Sequence, residues 1–271
     1  VSDPVLIRTD GQFLYTLASV VDDIDFKINY VIRGSDHVTN TATQIQLLQK
    51  LGSRSPSFAH HSLLVGSKGE PLSKRMNNLS LFQLKNMGLE PEALFIFMAG
   101  LGGKIQFHPD ITIQDAFDVF KLSDFGAAPT KFDLNVLTLF SQKRLTNLPF
   151  SEIQKDLTEL EIPIHLQFDF WNMAKENIGD RSDLKDLWRL CTDGAEPVIL
   201  AQDQEFIAVC KGLIPDEPRD HTSWSSWTDA IKSETTRSGK SLFLPLRMAL
   251  TGKENGPDMK KLFPLLFKLR F

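Results

Sequence analysis

The sequence predicts an α/β region followed by an all-α region, and three observations carry that prediction. Short apolar runs alternate with helix-like stretches across residues 5–65. From about residue 110 onward nearly every segment repeats its apolar residues at helical spacing. Gly and Pro punctuate this second region, as at Pro163, Pro215 and Gly252, and after residue 146 nothing alternates apolar with polar residues as a half-buried strand does.

Taken in order, residues 5–8 read as a short buried strand, with the turn pair Asp10-Gly11 after it. Residues 14–21 are apolar and end at Asp22-Asp23. Tyr30-Val31-Ile32 is a second strand-like run, stopped by Gly34. Thr39 or Asn40 offers a side-chain oxygen to cap a helix running through Ile45, Leu47 and Leu48 to Gly52. Residues 58–65 form a third apolar run, ending at the loop Gly66-Ser67-Lys68-Gly69. Three strands alternating with helices predict a thin parallel sheet of the nucleotide-binding type. Helical spacing then marks 79–87 and 91–101, with Gly88 and Gly102-Gly103 as stops. It continues over 113–120, 133–145, 151–160, 166–176, 183–191, 224–231, 241–250 and 259–269. There is no internal repeat and no low-complexity tract.

Composition narrows the function classes. A length of 271 residues buries a sizeable core in one to three domains. No apolar run approaches the roughly 20 residues of a membrane helix, and two cysteines without CxxC spacing leave a reducing cytoplasm as the expectation. The opening Val1-Ser2-Asp3-Pro4 shows no signal peptide. The two cysteines, Cys191 and Cys210, lack CxxC spacing, which argues against a disulfide framework or a zinc site. A net charge of -4 is not the basic footprint of a nucleic-acid binder, although Lys143-Arg144, Lys260-Lys261 and Lys268 to Arg270 offer local patches. Taken alone, those patches read as solvated helix faces.

Several residues point to chemistry. The loop Gly69-Glu70-Pro71-Leu72-Ser73-Lys74-Arg75 carries two adjacent cations after a strand, where ligands of α/β sheets sit. A lysine there can hold phosphate and stabilise developing negative charge, though an exposed basic turn explains the same residues. Arg33 also follows a strand, and its planar fork suits a carboxylate; a surface ion pair with Asp36 is the equal alternative. Tyr15 presents a hydroxyl to a polar ligand or to the core edge. Asp22-Asp23 either turns the chain or binds magnesium, and two carboxylates alone are weak metal ligands. His60 and His61 would face opposite sides of a strand, which disfavours a shared metal. No Gly-x-Ser-x-Gly, Walker A or Gly-x-Gly-x-x-Gly run occurs.

Three blocks, in order and at matching spacing, resemble one family. Asp10-Gly11-Gln12-Phe13-Leu14-Tyr15 with Ala18-Ser19-Val20-Val21-Asp22-Asp23 resembles the glutamyl-tRNA synthetase stretch "DG-PTY-A-VVDD". Val31-Ile32-Arg33-Gly34-Ser35-Asp36-His37 with Thr39-Asn40-Thr41 resembles its "VIRG-DH-SNT". Leu72-Ser73-Lys74-Arg75 resembles the "LSKR" form of the class I "KMSKS" signature. Farther on, Pro91-Glu92-Ala93-Leu94 and Phe132-Asp133 are similar to the family's stem-contact region, and Leu242-Phe243-Leu244-Pro245-Leu246-Arg247 with Leu250-Thr251-Gly252 to the end of its helical anticodon domain.

The resemblance implies a bacterial-type glutamate–tRNA ligase. Residues 1–66 would be the second half of a partial Rossmann-type catalytic domain, 67–145 the KMSKS loop and stem-contact region, and 146–271 a helical-bundle anticodon-binding domain. Tyr15, Ser19 and Arg33 would line the glutamate pocket, with Arg33 pairing a substrate carboxylate. Asp36, Leu64, Ser73, Lys74 and Arg75 would bind ATP, Leu64 against the adenine and Asp36 near the ribose. Lys74 would be catalytic, stabilising adenylate formation. No protein metal ligands are implied, and Mg2+ would accompany ATP. Partners would be L-glutamate and a glutamate-accepting tRNA, with a glutamine-accepting tRNA left open, and the protein would be a monomer. Two departures matter: Pro71 stands at the first position of the "KMSKS" block, and nothing matches the family's "HIGH" block. The expectation is therefore a truncated product, inactive alone. A tRNA-binding module or regulatory paralogue without catalysis is the alternative; it would not need Tyr15, Arg33 and Lys74 together. The short paralogue that modifies a tRNA base lacks the helical half, and glutaminyl-tRNA synthetase has a β-barrel there.

Overall fold

A computed structural model describes residues 3–70, 72 and 80–271. They form a mixed α/β part with small parallel sheets and a helical part, as the sequence predicts. The chain divides into two compact units, Val1–Leu79 with Leu94–Leu137, and Ser80–Ala93 with Thr138–Phe271.

In the first unit, α1 (Tyr15–Asp25), β1 (Tyr30–Gly34), α2 (Val38–Lys50) and β2 (Ser57–His61) follow one another. β1 and β2 are parallel, in the register Tyr30↔Ser57 through Gly34↔His61. Parallel strands need a long crossover, and α2 supplies it, packing against α1. A single 3-10 turn, Ser35–His37, links β1 to α2. The cap expected at Thr39 or Asn40 is not used: the N-cap is His37, without a side-chain bond, and both residues lie inside the first turn.

Two expectations for this region change. Residues 5–8 are not a buried strand, for Val5 and Ile7 are 64% and 48% exposed. The chain doubles back at Gly11 (φ 86°), which only glycine adopts freely, and Ile7 meets Phe13 in one antiparallel bridge. Its backbone bonds close on itself, Leu14 N–H donating to Leu6 O at 2.9 Å. The three-stranded sheet is instead two pairs among the described residues. The run 58–65 breaks after β2, and β3 (Leu64–Val65) pairs in parallel with β4 (Thr130–Lys131). Ser62 Oγ and Thr130 Oγ1, 2.7 Å apart, fasten the break. α5 (Ile113–Val119) begins at a capping box between Thr112 and Asp115. Phe95 of α4 (Pro91–Gly100) packs against Phe117 of α5 at 5.4 Å.

The second unit contains α3 (Leu81–Asn86), most of α6 (Leu134–Asn147), α7 (Phe150–Glu159), α8 (Ile164–Ala174) and α9 (Asp183–Asp193). It continues with α10 (Gln204–Gly212), α11 (Ser223–Glu234), α12 (Lys240–Thr251) and α13 (Met259–Leu262). Helices α6 to α13 contribute buried residues to one apolar core. At its centre Trp227 stacks on Phe263 with ring centroids 5.0 Å apart, and its indole N–H donates to Cys210 O at 3.0 Å. The helix expected over 259–269 stops at Leu262, because Pro264 lacks an N–H and forces a 3-10 turn, Phe263–Leu265. No described residue after Lys131 is in a strand. No helix among the described residues is long and apolar enough to cross a membrane.

Candidate functional site

Arg33 is the next-to-last residue of β1, at the carboxyl end of a parallel pair, where such sheets receive ligands. Polar side chains from both flanking helices reach its guanidinium. Nη1 donates to Tyr15 Oη at 3.3 Å. Nη2 donates to Thr41 Oγ1 and to Gln44 Oε1, each at 2.5 Å. The Phe58 ring on neighbouring β2 lies 5.5 Å from the guanidinium carbon. Nε is buried and bonds to nothing. Both hydrogens of Nη2 are thus used within the chain. The planar fork expected to suit a carboxylate has Nη2 occupied, and Nη1 is the terminal nitrogen with a hydrogen to spare.

The charge of Arg33 has no carboxylate partner within ion-pair distance among the described residues. Asp36 does not serve: its carboxylate lies 3.6 Å from His37 Nε2. Asp23 is the acid felt electrostatically. Burial pushes its carboxyl up, Arg33 draws it down, and Asp22 adds to the rise.

Ser19 is one turn beyond Tyr15 on α1 and accepts from Gln44 Nε2 at 2.7 Å. Thr41 and Gln44 are buried on the α2 face that also buries Leu48, at spacings of three and seven residues. Thr41 Oγ1 also lies 2.9 Å from His60 Nε2. His61 points elsewhere, its Nδ1 donating to Ser62 O at 3.0 Å, as strand alternation requires.

The structure therefore brings Tyr15, Ser19 and Arg33 together. Asp36 sits at the head of α2, half exposed, and Leu64 is half-buried in β3. Gly34 is closely packed, since a Cβ there would meet the Asp36 carboxylate and Leu63 Cδ2. Ser73, Lys74 and Arg75, with Pro71, lie outside the described residues. The loop ahead of them is tightly turned: Gly66 N–H donates to Glu70 O at 2.8 Å, and Lys68 N–H to Glu70 Oε2 at 3.0 Å. No group of three or more His, Cys, Asp or Glu among the described residues could hold a metal ion.

Neither Gln44 nor Phe58 stands in the sequence as a candidate site residue. Thr41 stands there only within a motif, and His60 only as a metal candidate. A usable signal existed for Gln44: a polar residue at the core-facing position of a helical stripe that includes Leu48 has to find a buried partner.

The family model described as tRNA synthetases class I (E and Q), catalytic domain, matches residues 1–138. Glutamate–tRNA ligase 2 of Ruegeria sp. (strain TM1040) is 50% identical over 270 residues, covering 100% of this chain and 61% of that relative. Glutamate–tRNA ligase 1 of Roseobacter denitrificans is 49% identical over 266 residues, covering 98% of this chain and 60% of that relative. The chain thus spans about three fifths of the length of these relatives. The crystal structure of a glutamate tRNA ligase from Elizabethkingia meningosepticum in complex with its amino acid superposes with a TM-score of 0.77 at 19% identity. That likeness covers 98% of this chain and 60% of the other, and it shows a shared fold.

Proposed function

This chain belongs to the class I tRNA synthetases (E and Q), and from that premise we propose that it is part of a glutamate–tRNA ligase. In the reaction a glutamate carboxylate oxygen attacks the α-phosphorus of ATP, forming glutamyl-adenylate and releasing pyrophosphate. A hydroxyl of the terminal adenosine of tRNA then attacks the acyl carbon and releases AMP.

One observation carries the reading: the Arg33 guanidinium is held by three neutral acceptors and has no described carboxylate partner. A partly buried cation in that state is completed by an anionic ligand. A substrate carboxylate supplies the charge. Tyr15 and Ser19 stand beside Arg33 to take up further oxygens. Asp36 and Leu64 are the proposed ribose and adenine contacts, and Ser73, Lys74 and Arg75 meet the phosphates, Lys74 stabilising the charge of the transition state. Mg2+ arrives with ATP as part of the substrate. Residues 67–145 are assigned to the tRNA stem and 146–271 to the anticodon of a glutamate-accepting tRNA, with a glutamine-accepting tRNA the further possibility. The protein works in the cytoplasm as a monomer. This chain alone lacks a "HIGH" block and is proposed to be inactive by itself.

A tRNA-binding module without catalysis needs no unpaired arginine in a pocket, so the Arg33 arrangement favours the enzyme. The test is charging of tRNA with labelled glutamate by the complete gene product and by residues 1–271 separately. Glutamate-charged tRNA from the complete product alone is expected. No charging by the complete product would reject the ligase reading, and charging by residues 1–271 would reject the claim that they are inactive.

A further inference from the structure

Gln44 is 1% exposed, and its amide spans two residues of the site. Guanidinium nitrogens only donate, so the amide atom 2.5 Å from Arg33 Nη2 is the oxygen. The other end is then the NH2 group, and Ser19 Oγ, 2.7 Å from it, must accept. The hydrogen on Ser19 is left over. Its intramolecular acceptor is Thr16 O at 3.4 Å, beyond the usual range of a hydroxyl bond. The same reasoning applies to Tyr15, whose oxygen accepts from Arg33 Nη1 and whose hydrogen remains free.

We propose that Gln44 is a positioning residue that sets the polarity of this pocket, leaving the Ser19 hydroxyl and the Arg33 Nη1 as donors to one substrate carboxylate. The proposal rests on the reading of the pocket as the glutamate site. Gln44 does not touch substrate. It fills Nη2 of Arg33 and forbids Ser19 from donating inward, so that the remaining hydrogens on Ser19 Oγ and Arg33 Nη1 are offered to an anion.

Gln44→Glu keeps shape and the contact to Arg33 but reverses the far end. A carboxylate oxygen cannot donate, so Ser19 turns its hydrogen inward, and the new anion neutralises Arg33. Tested by tRNA-dependent pyrophosphate exchange in the complete gene product, Gln44→Glu raises the KM for glutamate on the order of 100-fold. The KM for ATP and the melting temperature stay as in the parent. Ser19→Ala separates polarity from simple packing. It costs about tenfold in glutamate KM in the parent and in Gln44→Met, where the hydroxyl can still face the ligand, and nothing further in Gln44→Glu. An unchanged glutamate KM in Gln44→Glu overturns the proposal, and so does a Ser19→Ala cost that is the same in all three backgrounds. If Gln44→Glu does not fold, Gln44→Met alone decides: a glutamate-specific rise in KM supports the role, and none overturns it. Absence of glutamate-dependent exchange in the parent rejects instead the reading on which the proposal rests.

Discussion

At Arg33 a positive charge is surrounded by hydroxyl and amide oxygens, and its chemistry follows from what it lacks. Arg33→Ala removes the cation proposed to meet the substrate carboxylate and should weaken glutamate binding by about 2–4 kcal/mol if the pocket is dry. Equilibrium binding of glutamate to the complete gene product checks this, and unchanged affinity would refute the assignment. Lys74→Ala should lower the rate of adenylate formation more than it changes ATP affinity, because the phosphate contact proposed for it would strengthen in the transition state. A single-turnover measurement separates the two effects; loss of ATP affinity alone would contradict it. That Arg33, Tyr15 and Ser19 cluster was legible in the sequence because each falls in a spaced block of distinctive residues. Gln44 was not, because burial gives a glutamine its meaning, and burial is decided by how α2 docks on β1. How Arg33 is anchored was illegible for the same reason, since Thr41 and Gln44 reach Nη2 only once α2 has docked.

Elements were read well where their signals are local. β1, α2 and β2 form the parallel crossover that alternating apolar runs predict, and the stops at Gly88 and Gly102 fall where positive φ values of 74° and 80° end the helical runs. Pairing was less legible: nothing in residues 57–65 announces that Leu64 and Val65 pair with Thr130 and Lys131, some sixty-six residues later in the chain. α10 escaped notice because its stripe, Phe206, Ile207 and Cys210, is short and flanked by polar residues. At the element scale the clearest unread contact is Arg181, just ahead of α9. Nε and Nη2 donate to both oxygens of Glu90 at 2.9 Å, and Nη1 bonds Asp156 of α7. The Glu90 side chain is only 11% exposed, so Arg181→Met strands a mostly buried carboxylate. The expected cost is about 2 kcal/mol, below that of a fully buried pair because solvent screens the half-exposed guanidinium. Urea unfolding should show the midpoint fall, and Glu90→Gln in the same background should recover part of it. No shift in midpoint would mean that the pair contributes nothing.

On the scale of the whole molecule, the change from an α/β region to helices was legible because the period of apolar residues itself changes. Burial of the cysteines was not, since neither lies in a motif. Burial pushes the Cys191 thiol up to about 12 and the Cys210 thiol up to about 11. Folding therefore favours the protonated thiols: their contribution is fully present below the ordinary value near 9 and is lost as pH rises toward 11 and 12. At pH near 8, iodoacetamide should modify neither thiol until the chain unfolds; rapid labelling of the native chain would contradict the packing described. The central claim, that a family member of this composition keeps a carboxylate-reading site at Arg33, is tested most directly by tRNA-dependent pyrophosphate exchange in the complete gene product, with glutamate and glutamine compared in the parent and in Arg33→Ala. Exchange with glutamate and not glutamine, lost in Arg33→Ala, is the predicted result. Equal exchange with both amino acids, or full glutamate exchange in Arg33→Ala, would contradict it.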